Sequence, residues 1–426
     1  MRQEKEYKKI VLENGVRVIL VPRKESLGSA VLVMTHTGSE NENKNNNGIS
    51  HFLEHMVFKG TKNYPKPSAI STAMESLGAI YNAYTSSDRT GYWAEVRNEE
   101  LDKAIDIIFD IYLNPLIKQT ELEKEKGVII QELNMYYENP QRHIYDLFNN
   151  VLYGDQPAGW NIIGTKDNIL KFTSQDLLDY HAKHYKNGSS TVIVIAGNFS
   201  EKKIMEKIRK NFSKLNRAKL NIPETLDQQK SSQILMEYRD INQTNLIIGF
   251  KAYNIFDKRH YALDILNEIL GGGMSSRLFI AIREKLGAAY EVSSFTDYSS
   301  DRGVLGITVG IENEKLEKVL KTILLELNIL IKYKVSSKEL NKAKKSFISP
   351  LILNLQRVNQ LAFFYGSSEI LTQNPETLDR MIKKYQSLTS EDIKEAAKGI
   401  FQNNKLNLAI IGPFKNKDAI EKILKF

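Results

Sequence analysis

Residues 48–60 read Gly-Ile-Ser-His-Phe-Leu-Glu-His-Met-Val-Phe-Lys-Gly, and they carry the strongest chemical signal in the chain. Ser50 is a favourable residue for beginning a helix, and no proline interrupts the stretch that follows it. On a helix, His51 and His55 lie one turn apart on the same face, so both imidazoles could bind one zinc ion. Glu54 lies at the edge of that face, where it could move protons without binding the metal. This H-x-x-E-H order is the reverse of the commoner H-E-x-x-H zinc motif.

Two histidines leave the predicted zinc site one ligand short, since zinc enzymes usually supply three protein ligands. The best third ligand is Glu132, which lies seven residues after Glu125. If this segment is helical, a spacing of two turns places both carboxylates on one face. One glutamate could bind the metal, and the other could hold a ligand histidine in place.

The sequence resembles the inverzincin metallopeptidases, the group that includes pitrilysin, insulin-degrading enzyme and mitochondrial processing peptidase. The motifs that carry the resemblance are His51–His55 with Met56, Phe58–Thr61, Asn82–Thr85, Asp88–Thr90, and the spaced pair Glu125 and Glu132. The H-x-x-E-H motif alone would be a weak signal, but together with the two glutamates it is specific. The resemblance covers nearly the whole chain, and it implies a zinc-dependent endopeptidase that cleaves peptides or unfolded, presequence-like segments.

The resemblance also implies roles for individual residues. Those that would hold one Zn²⁺ ion per chain are His51, His55 and Glu132, with Glu125 in support. Glu54 would be the general base. Arg283 and Tyr290, in the second half of the chain, would bind the substrate backbone and stabilise the oxyanion. Asn82 and Ala83, on a predicted strand, would meet an extended peptide that adds to the strand edge.

The second half of the chain repeats the first half. Four short motifs recur in the same order, at offsets of 209, 215, 216 and 215 residues. The pairs are Leu77–Ala79 with Leu286–Ala288, Asn98–Lys103 with Asn313–Lys318, Thr173–Asp176 with Thr389–Asp392, and Ala196–Phe199 with Ile411–Phe414. We therefore predict two homologous α+β domains, residues 1–222 and 223–426, joined in the polar stretch around Pro223. The H-x-x-E-H motif has no copy in the second half, so only the first domain is expected to bind zinc.

The family resemblance implies that each domain is an α/β sandwich, in which helices flank a sheet, and that the two domains form half of a clamshell chamber. One chain carries both the zinc residues and the pair Arg283 and Tyr290, so a homodimer is the expected way to complete the chamber. The alternative is a non-catalytic scaffold or regulatory subunit of the same fold, although such members usually lose the zinc residues.

Composition excludes several other classes of protein. With 426 residues, 42% of them hydrophobic and 26% charged, the chain is typical of a globular protein with more than one core. It has no cysteine, which excludes disulfides and cysteine-rich zinc sites. The start of the chain has no apolar signal core and no apolar run could span a bilayer, so we expect a cytoplasmic protein without a membrane partner. The formal charge is +8, but the basic residues look scattered and no recognition motif is present, so no nucleic-acid partner is expected.

Other histidines and a glycine-rich stretch could be mistaken for sites. His36 lies on a predicted strand, and His181 and His184 lie near the end of a predicted helix, so local packing is the favoured interpretation for all three. Gly271–Gly273 could suggest a phosphate cradle, but the Gly-Lys-Ser/Thr ending is missing. A loop that opens a serine-capped helix is the favoured interpretation there.

Local patterns predict several elements in the first half. Asn14-Gly15 between two apolar runs indicates a hairpin. Ile80–Tyr84 and Gly91–Val96 have the composition of strands. Leu101–Leu113 is an amphipathic helix by its apolar spacing, and Thr173 is a favourable residue to begin another helix.

Overall fold

The computed structural model describes residues 6–220 and 222–425 of the chain. It divides into two compact units, each built around one mixed sheet with helices. Unit 1 comprises Met1–Asn134, Trp160–Pro223 and Leu353–Thr377, and unit 2 comprises Met135–Gly159, Glu224–Ile352 and Leu378–Phe426.

The described residues form eleven strands, of which two interior ones, Thr191–Gly197 and Leu406–Gly412, are buried along their whole length. In chain order they are β1 (Lys8–Val11), β2 (Arg17–Pro22), β3 (Gly28–Thr35), β4 (Ile80–Thr85), β5 (Thr90–Arg97), β6 (Thr191–Gly197), β7 (Gln233–Tyr238), β8 (Gln243–Ala252), β9 (Ala289–Tyr298), β10 (Gly303–Glu312) and β11 (Leu406–Gly412). The predicted strands Ile80–Tyr84 and Gly91–Val96 are confirmed as β4 and β5.

The α-helices include both short connecting helices and long amphipathic ones. They are α1 (Ile49–Met56), α2 (Ala69–Ser76), α3 (Leu101–Leu113), α4 (Gln119–Glu138), α5 (Pro140–Tyr153), α6 (Lys166–Lys171), α7 (Ser174–His184), α8 (Glu201–Phe212), α9 (His260–Gly271), α10 (Leu316–Lys332), α11 (Ser337–Asn354), α12 (Val358–Thr372), α13 (Leu378–Ser387), α14 (Ser390–Ile400) and α15 (Asp418–Ile423). The predicted helix Leu101–Leu113 is confirmed as α3. Thr173 caps α7, and its side chain accepts a hydrogen bond from the Asp176 N–H group.

Unit 1 contains a six-stranded sheet with the order β1-β2-β6-β3-β5-β4. β1 and β2 form the predicted antiparallel hairpin, with Lys8 opposite Leu20. Gly15 turns this hairpin at φ +91°, in the left-handed region that glycine adopts without strain. β4 pairs only with β5 and therefore forms one edge of the sheet. This edge lies beside α1, which packs against β4 and α7.

Unit 2 contains a five-stranded sheet with the order β7-β11-β8-β10-β9. Its pairing matches the order β2-β6-β3-β5-β4 of unit 1, including the single parallel pair, which is β7 with β11 here and β2 with β6 there. The fold prediction of two homologous α/β units, each with helices against a sheet, is therefore confirmed. The remaining strand of unit 1, β1, extends its sheet at the other edge.

Two helices belong to a unit other than the one that sequence order suggests. α12 lies in the C-terminal half of the chain but packs against β3 and β6 in unit 1. α5 lies in the N-terminal half but packs against β8 and β11 in unit 2, where Ile144, Phe148 and Leu152 join an apolar cluster. The compact units are thus discontinuous in sequence. The predicted folding domains, residues 1–222 and 223–426, remain a prediction.

In the part of the chain that the structure describes, no helix combines the length and the apolar character that a bilayer crossing requires.

Candidate active site

The site is organised by α1, whose apolar residues fix it to the body of unit 1. Ile49, Phe52, Leu53 and Met56 are buried. The prediction that Ser50 begins this helix is wrong, because Gly48 is the N-cap and Ser50 lies inside the first turn. Gly48 has φ +100°, and a Cβ atom at this position would lie 2.4 Å from the carbonyl oxygen of Ile163. Only glycine fits this entry into the helix.

His51 and His55 share one face of α1, as their spacing predicts. Their ring centroids are 4.7 Å apart. His51 is buried, with 9% of its surface exposed, whereas His55 is half-buried. Both Nε2 atoms point toward the same carboxylate, that of Glu132 on α4.

Glu132 completes a group with the geometry of a metal site. Its Oε2 atom lies 3.4 Å from His55 Nε2 and 3.8 Å from His51 Nε2. The three potential ligand atoms all lie within 4.8 Å of one another. Ligands that surround zinc tetrahedrally at about 2.0–2.1 Å are themselves about 3.4 Å apart. Two imidazole nitrogens and one carboxylate oxygen at these separations therefore fit a zinc ion.

Glu125 lies two helical turns before Glu132 on α4, and it orients His55. Its Oε1 atom lies 2.9 Å from His55 Nδ1, and its Oε2 atom lies 2.7 Å from Lys59 Nζ. A carboxylate can only accept here, so this contact places a proton on Nδ1 and leaves the Nε2 lone pair for a metal. Lys59 offsets the negative charge of Glu125.

The two histidines have opposite pKa shifts. Burial, and secondarily the charge of His55, lower the pKa of His51 to about 4. Burial also acts to lower the pKa of His55, but hydrogen bonds to Glu125 and Glu132 outweigh it and raise the pKa to about 9. The hydrogen bond with His55 lowers the pKa of Glu132. Binding of a metal by this group would therefore displace a proton from His55.

Glu54 lies on α1 beside the ligand group but outside it. Its Oε2 atom accepts a 2.6 Å hydrogen bond from the Thr85 hydroxyl on β4. Burial raises the pKa of Glu54, although this hydrogen bond opposes the shift. A carboxylate with a raised pKa and a fixed orientation is suited to accept and return a proton near neutral pH.

The other predicted substrate residues of unit 1 lie on the edge strand β4. Asn82 is exposed and Ala83 is buried. The backbone N–H of Ala83 donates to Asn82 Oδ1 at 2.9 Å. An edge strand of this kind can add an extended peptide through main-chain hydrogen bonds.

Arg283 and Tyr290 come together in unit 2. Arg283 lies in a π-helical segment, Phe279–Lys285, and Tyr290 lies at the start of β9. The Arg283 guanidinium carbon is 5.6 Å from the Tyr290 ring centroid and 4.9 Å from the Phe279 ring centroid. Tyr290 is 83% exposed, so its hydroxyl is available to a ligand. The helix after Gly271–Gly273 begins at Arg277, directly after Ser276, whose carbonyl accepts from the Ile280 N–H group at 3.1 Å, but among the described residues the Ser276 hydroxyl makes no capping hydrogen bond.

The remaining histidines make local contacts, as predicted. The backbone N–H of His36 donates to the Ser190 carbonyl at 2.9 Å, and the His36 imidazole is buried, with Nδ1 making no hydrogen bond among the described residues. His181 Nε2 lies 2.8 Å from the Tyr112 carbonyl oxygen, to which it must donate. Within the described residues, neither belongs to a group of three potential metal ligands.

Sequence reasoning missed two residues that contact the site helix. Thr85, the partner of Glu54, follows the Asn82-Ala83 pair at the end of β4. Glu42 is buried in the loop before α1 and accepts hydrogen bonds from the Gly48 and Ser50 N–H groups. A glutamate among asparagines, seven residues before the first helical residue, gives no periodic signal, so its contact with α1 could not be predicted.

In unit 2, the helix that corresponds to α1 is α9, which packs on β9 as α1 packs on β4. It carries a buried carboxylate, Asp264, which accepts hydrogen bonds of 2.6 Å from the hydroxyls of Tyr298 and Tyr385. Burial raises the pKa of Asp264. The hydroxyls that satisfy this carboxylate tie α9 to its own core.

Taken together, an H-x-x-E-H helix with two spaced glutamates in one α/β unit, followed by a second unit of the same topology, defines a two-domain peptidase of the inverzincin type. Comparisons with known proteins agree. Residues 17–166 match the family model "Insulinase (Peptidase family M16)", and residues 171–347 match "Peptidase M16 inactive domain". The chain therefore belongs to peptidase family M16.

Similar proteins cover almost the whole chain. An uncharacterized zinc protease of Bacillus subtilis is 33% identical over 409 residues, which cover 96% of this chain and 99% of the relative. One from Streptomyces coelicolor is 30% identical over 421 residues, covering 97% and 91%. A solved structure of a protease from Helicobacter pylori has a TM-score of 0.89 at 25% identity, covering 96% and 99%. A solved M16 inactive domain protein from Pseudomonas fluorescens shares the fold, with a TM-score of 0.87 at 21% identity and coverage of 96% and 99%.

Proposed function

We propose that this chain is a zinc-dependent endopeptidase that cleaves peptides or unfolded, presequence-like segments. The observation that carries the proposal is the convergence of His51, His55 and Glu132 on one point, with Glu54 beside them. Three ligands and a separate carboxylate are the minimum set for hydrolysis at a zinc centre.

The residues of unit 1 have different roles in the proposed hydrolysis. His51, His55 and Glu132 would hold one zinc ion, which would supply Lewis acidity for activating a water molecule and a carbonyl group. Glu54 takes the proton from the attacking water and returns it to the leaving amine. Thr85 keeps the Glu54 carboxylate in one orientation, and Glu125 keeps the His55 ring in the tautomer that exposes Nε2.

We infer the peptide-binding residues from the family resemblance, which points to Asn82 and Ala83 on β4 and to Arg283 and Tyr290. An extended substrate adds to the edge strand β4 at Asn82 and Ala83. By that resemblance, Arg283 would bind a substrate backbone, and the Tyr290 hydroxyl would donate to an oxyanion. Because main-chain contacts dominate at a strand edge, we expect loose sequence preference.

We further propose that two chains form a homodimer that encloses the substrate, and that the protein is cytoplasmic. The presence of the zinc residues and of Arg283 and Tyr290 in one chain supports identical subunits. Light scattering of the purified chain tests the first point: a mass of one chain at micromolar concentration would exclude the homodimer.

The activity is tested by digesting an unfolded polypeptide and mapping the products by mass spectrometry. Wild-type protein should cleave, and Glu54→Gln should retain zinc but lose at least about 100-fold in kcat. Glu123→Gln, at an exposed position on α4, is the matched control and should cleave as wild type does. Cleavage by Glu54→Gln at the wild-type rate would contradict the role of Glu54. A wild-type protein that binds zinc but cleaves nothing would favour a scaffold.

A further inference from the structure

Glu42 is a buried carboxylate whose two oxygens both face the start of α1. Only 5% of its surface is exposed. Its Oε1 atom accepts a 2.8 Å hydrogen bond from the Ser50 N–H group, and its Oε2 atom accepts one of 2.8 Å from the Gly48 N–H group. Oε2 also accepts from Asn47 Nδ2 at 3.0 Å. A buried carboxylate is costly unless such donors satisfy it, so this arrangement is specific.

α1 needs an acceptor from outside the helix. The first N–H groups of a helix have no partner within it, and a Ser, Thr, Asp or Asn N-cap usually supplies the acceptor. Gly48 has no side chain that could do so. Glu42 takes over this function from six residues upstream, and its negative charge at a helix N-terminus is also favourable.

The same loop is tied to the body of unit 1. Asn47 Nδ2 also donates to the Asn161 carbonyl at 3.1 Å, and Asn168 Nδ2 donates to the Asn47 carbonyl at 3.1 Å. The hydroxyls of Ser50 and Tyr180 are 2.9 Å apart. Glu42 therefore links the first turn of α1 to a rigid frame rather than to a free loop.

The two histidines of α1 depend on this frame to different degrees. Glu125 orients the His55 ring directly through Nδ1. His51 Nδ1 is buried and has no hydrogen-bond partner among the described residues. The His51 ring is thus oriented only by its backbone and packing, and His51 directly follows Ser50, which Glu42 holds.

We propose that Glu42 is a positioning residue for the metal site: it fixes the first turn of α1 and thereby aims His51 Nε2 at the point shared with His55 and Glu132. This inference rests on the proposed zinc function and adds a residue to it. Since outer contacts that orient a ligand typically change metal affinity 10- to 100-fold, the contribution of Glu42 is measurable as zinc binding.

The test compares Glu42→Gln with a matched variant, Asp264→Asn, in the full-length protein. Both changes replace a buried, hydrogen-bonded carboxylate by its amide, but Asp264 lies in unit 2. In Glu42→Gln the new NH₂ group would face one of the two backbone N–H donors, so one contact becomes repulsive. Zinc affinity is measured at pH 8 by competition with a chromophoric chelator, and thermal melting is followed on the same samples. Burial raises the pKa of Glu42 to about 7, so the wild-type carboxylate is mostly ionised at pH 8.

We expect Glu42→Gln to bind zinc at least about 10-fold more weakly than wild type, and Asp264→Asn to stay within about twofold even if its melting temperature falls. Glu42→Asp, which keeps the charge but shortens the reach, should recover part of the loss, and it replaces Glu42→Gln if that variant does not fold. Wild-type affinity in both Glu42 variants would overturn the proposal. So would an equal loss in Asp264→Asn, because the effect would then reflect general destabilisation. A wild-type protein without zinc affinity would instead overturn the proposed function itself.

Discussion

Glu125 contacts His55 on the side of the ring away from Glu132, with 2.9 Å between Glu125 Oε1 and the imidazole Nδ1. The opposite nitrogen, Nε2, lies 3.4 Å from Glu132 Oε2. Two carboxylates on one face of α4 thus have different tasks: Glu125 fixes the orientation of the histidine ring through Nδ1, and Glu132 faces Nε2, the nitrogen that a metal would bind. The seven-residue spacing of the glutamates produces this division directly.

Glu125→Gln should therefore weaken zinc binding about 10- to 100-fold without unfolding the protein, because the amide no longer favours a proton on Nδ1. Zinc affinity by chelator competition measures the effect. Glu123→Gln is a matched control, since Glu123 is exposed on the same helix and its polar partners among the described residues are Lys126 and Gln119. An unchanged affinity in Glu125→Gln would show that His55 needs no such support.

Thr85→Val should lower kcat for peptide cleavage about 10-fold while leaving the zinc content unchanged. The substitution keeps the shape of the side chain but removes the hydroxyl that donates to Glu54 at 2.6 Å, a charge-assisted bond of about 1.5–3 kcal/mol. Thr85→Ser retains the hydroxyl and should cleave nearly as wild type does. If valine and serine variants had the same activity, the hydrogen bond would have no role in orienting Glu54.

Glu369→Gln should destabilise the protein by about 3–5 kcal/mol in urea unfolding. Glu369 lies on α12, fully buried, and its Oε1 atom is 2.8 Å from Lys9 Nζ and 3.4 Å from Arg17 NH1. Removing its charge leaves the buried guanidinium of Arg17 uncompensated. Glu201→Gln, in an exposed ion pair with Lys8, should cost less than about 1 kcal/mol. Similar losses in the two variants would argue against a special role for the buried pair.

His181 should make the protein sensitive to acid. Burial lowers the pKa of His181 to about 4 in the folded protein, against about 6.5 in an unfolded chain. The folded state therefore favours neutral His181, and the stability this provides is complete above pH 6.5 and lost as the pH falls toward 4. By linkage, the loss reaches roughly 2 kcal/mol at pH 5.

Urea unfolding at pH 7.5 and pH 5.0 measures this effect. His181→Gln, which can still donate to the Tyr112 carbonyl, should lose roughly 2 kcal/mol less than wild type between the two pH values. The comparison cancels the other titrating groups, which both proteins share. Equal losses in wild type and variant would mean that His181 is protonated without cost in the folded state.

The chemistry of the site could be read from the sequence because it is encoded in local spacing. His51 and His55 are one helical turn apart and Glu125 and Glu132 are two, and helix geometry turns these intervals into shared faces. The meeting of α1 and α4 is a tertiary contact, and only the family resemblance, not the spacing, could point to it. The predicted helix start at Ser50 is wrong because the helix begins after Gly48. The acceptor for the N–H groups of Gly48 and Ser50 is Glu42, which lies outside the helix.

The sequence could not predict that α5 packs on the sheet of unit 2 and α12 on the sheet of unit 1. The apolar residues of α5, such as Ile144 and Phe148, predict that one face is buried, but an apolar face does not specify which sheet will cover it. The repeat places α5 and α12 at matching positions of the two halves, and both pack on the sheet of the other half. A contact of this kind depends on the chain path between the units, which periodicity does not record.

The most direct measurement is the zinc content of protein purified without chelator, determined by elemental analysis for wild type and Glu132→Gln. Glu132 donates the only carboxylate oxygen of the described ligand group. We expect about one zinc ion per wild-type chain and less than about a tenth of that in the variant. A wild-type chain without zinc, or a Glu132→Gln chain that retains a full equivalent, would contradict this expectation.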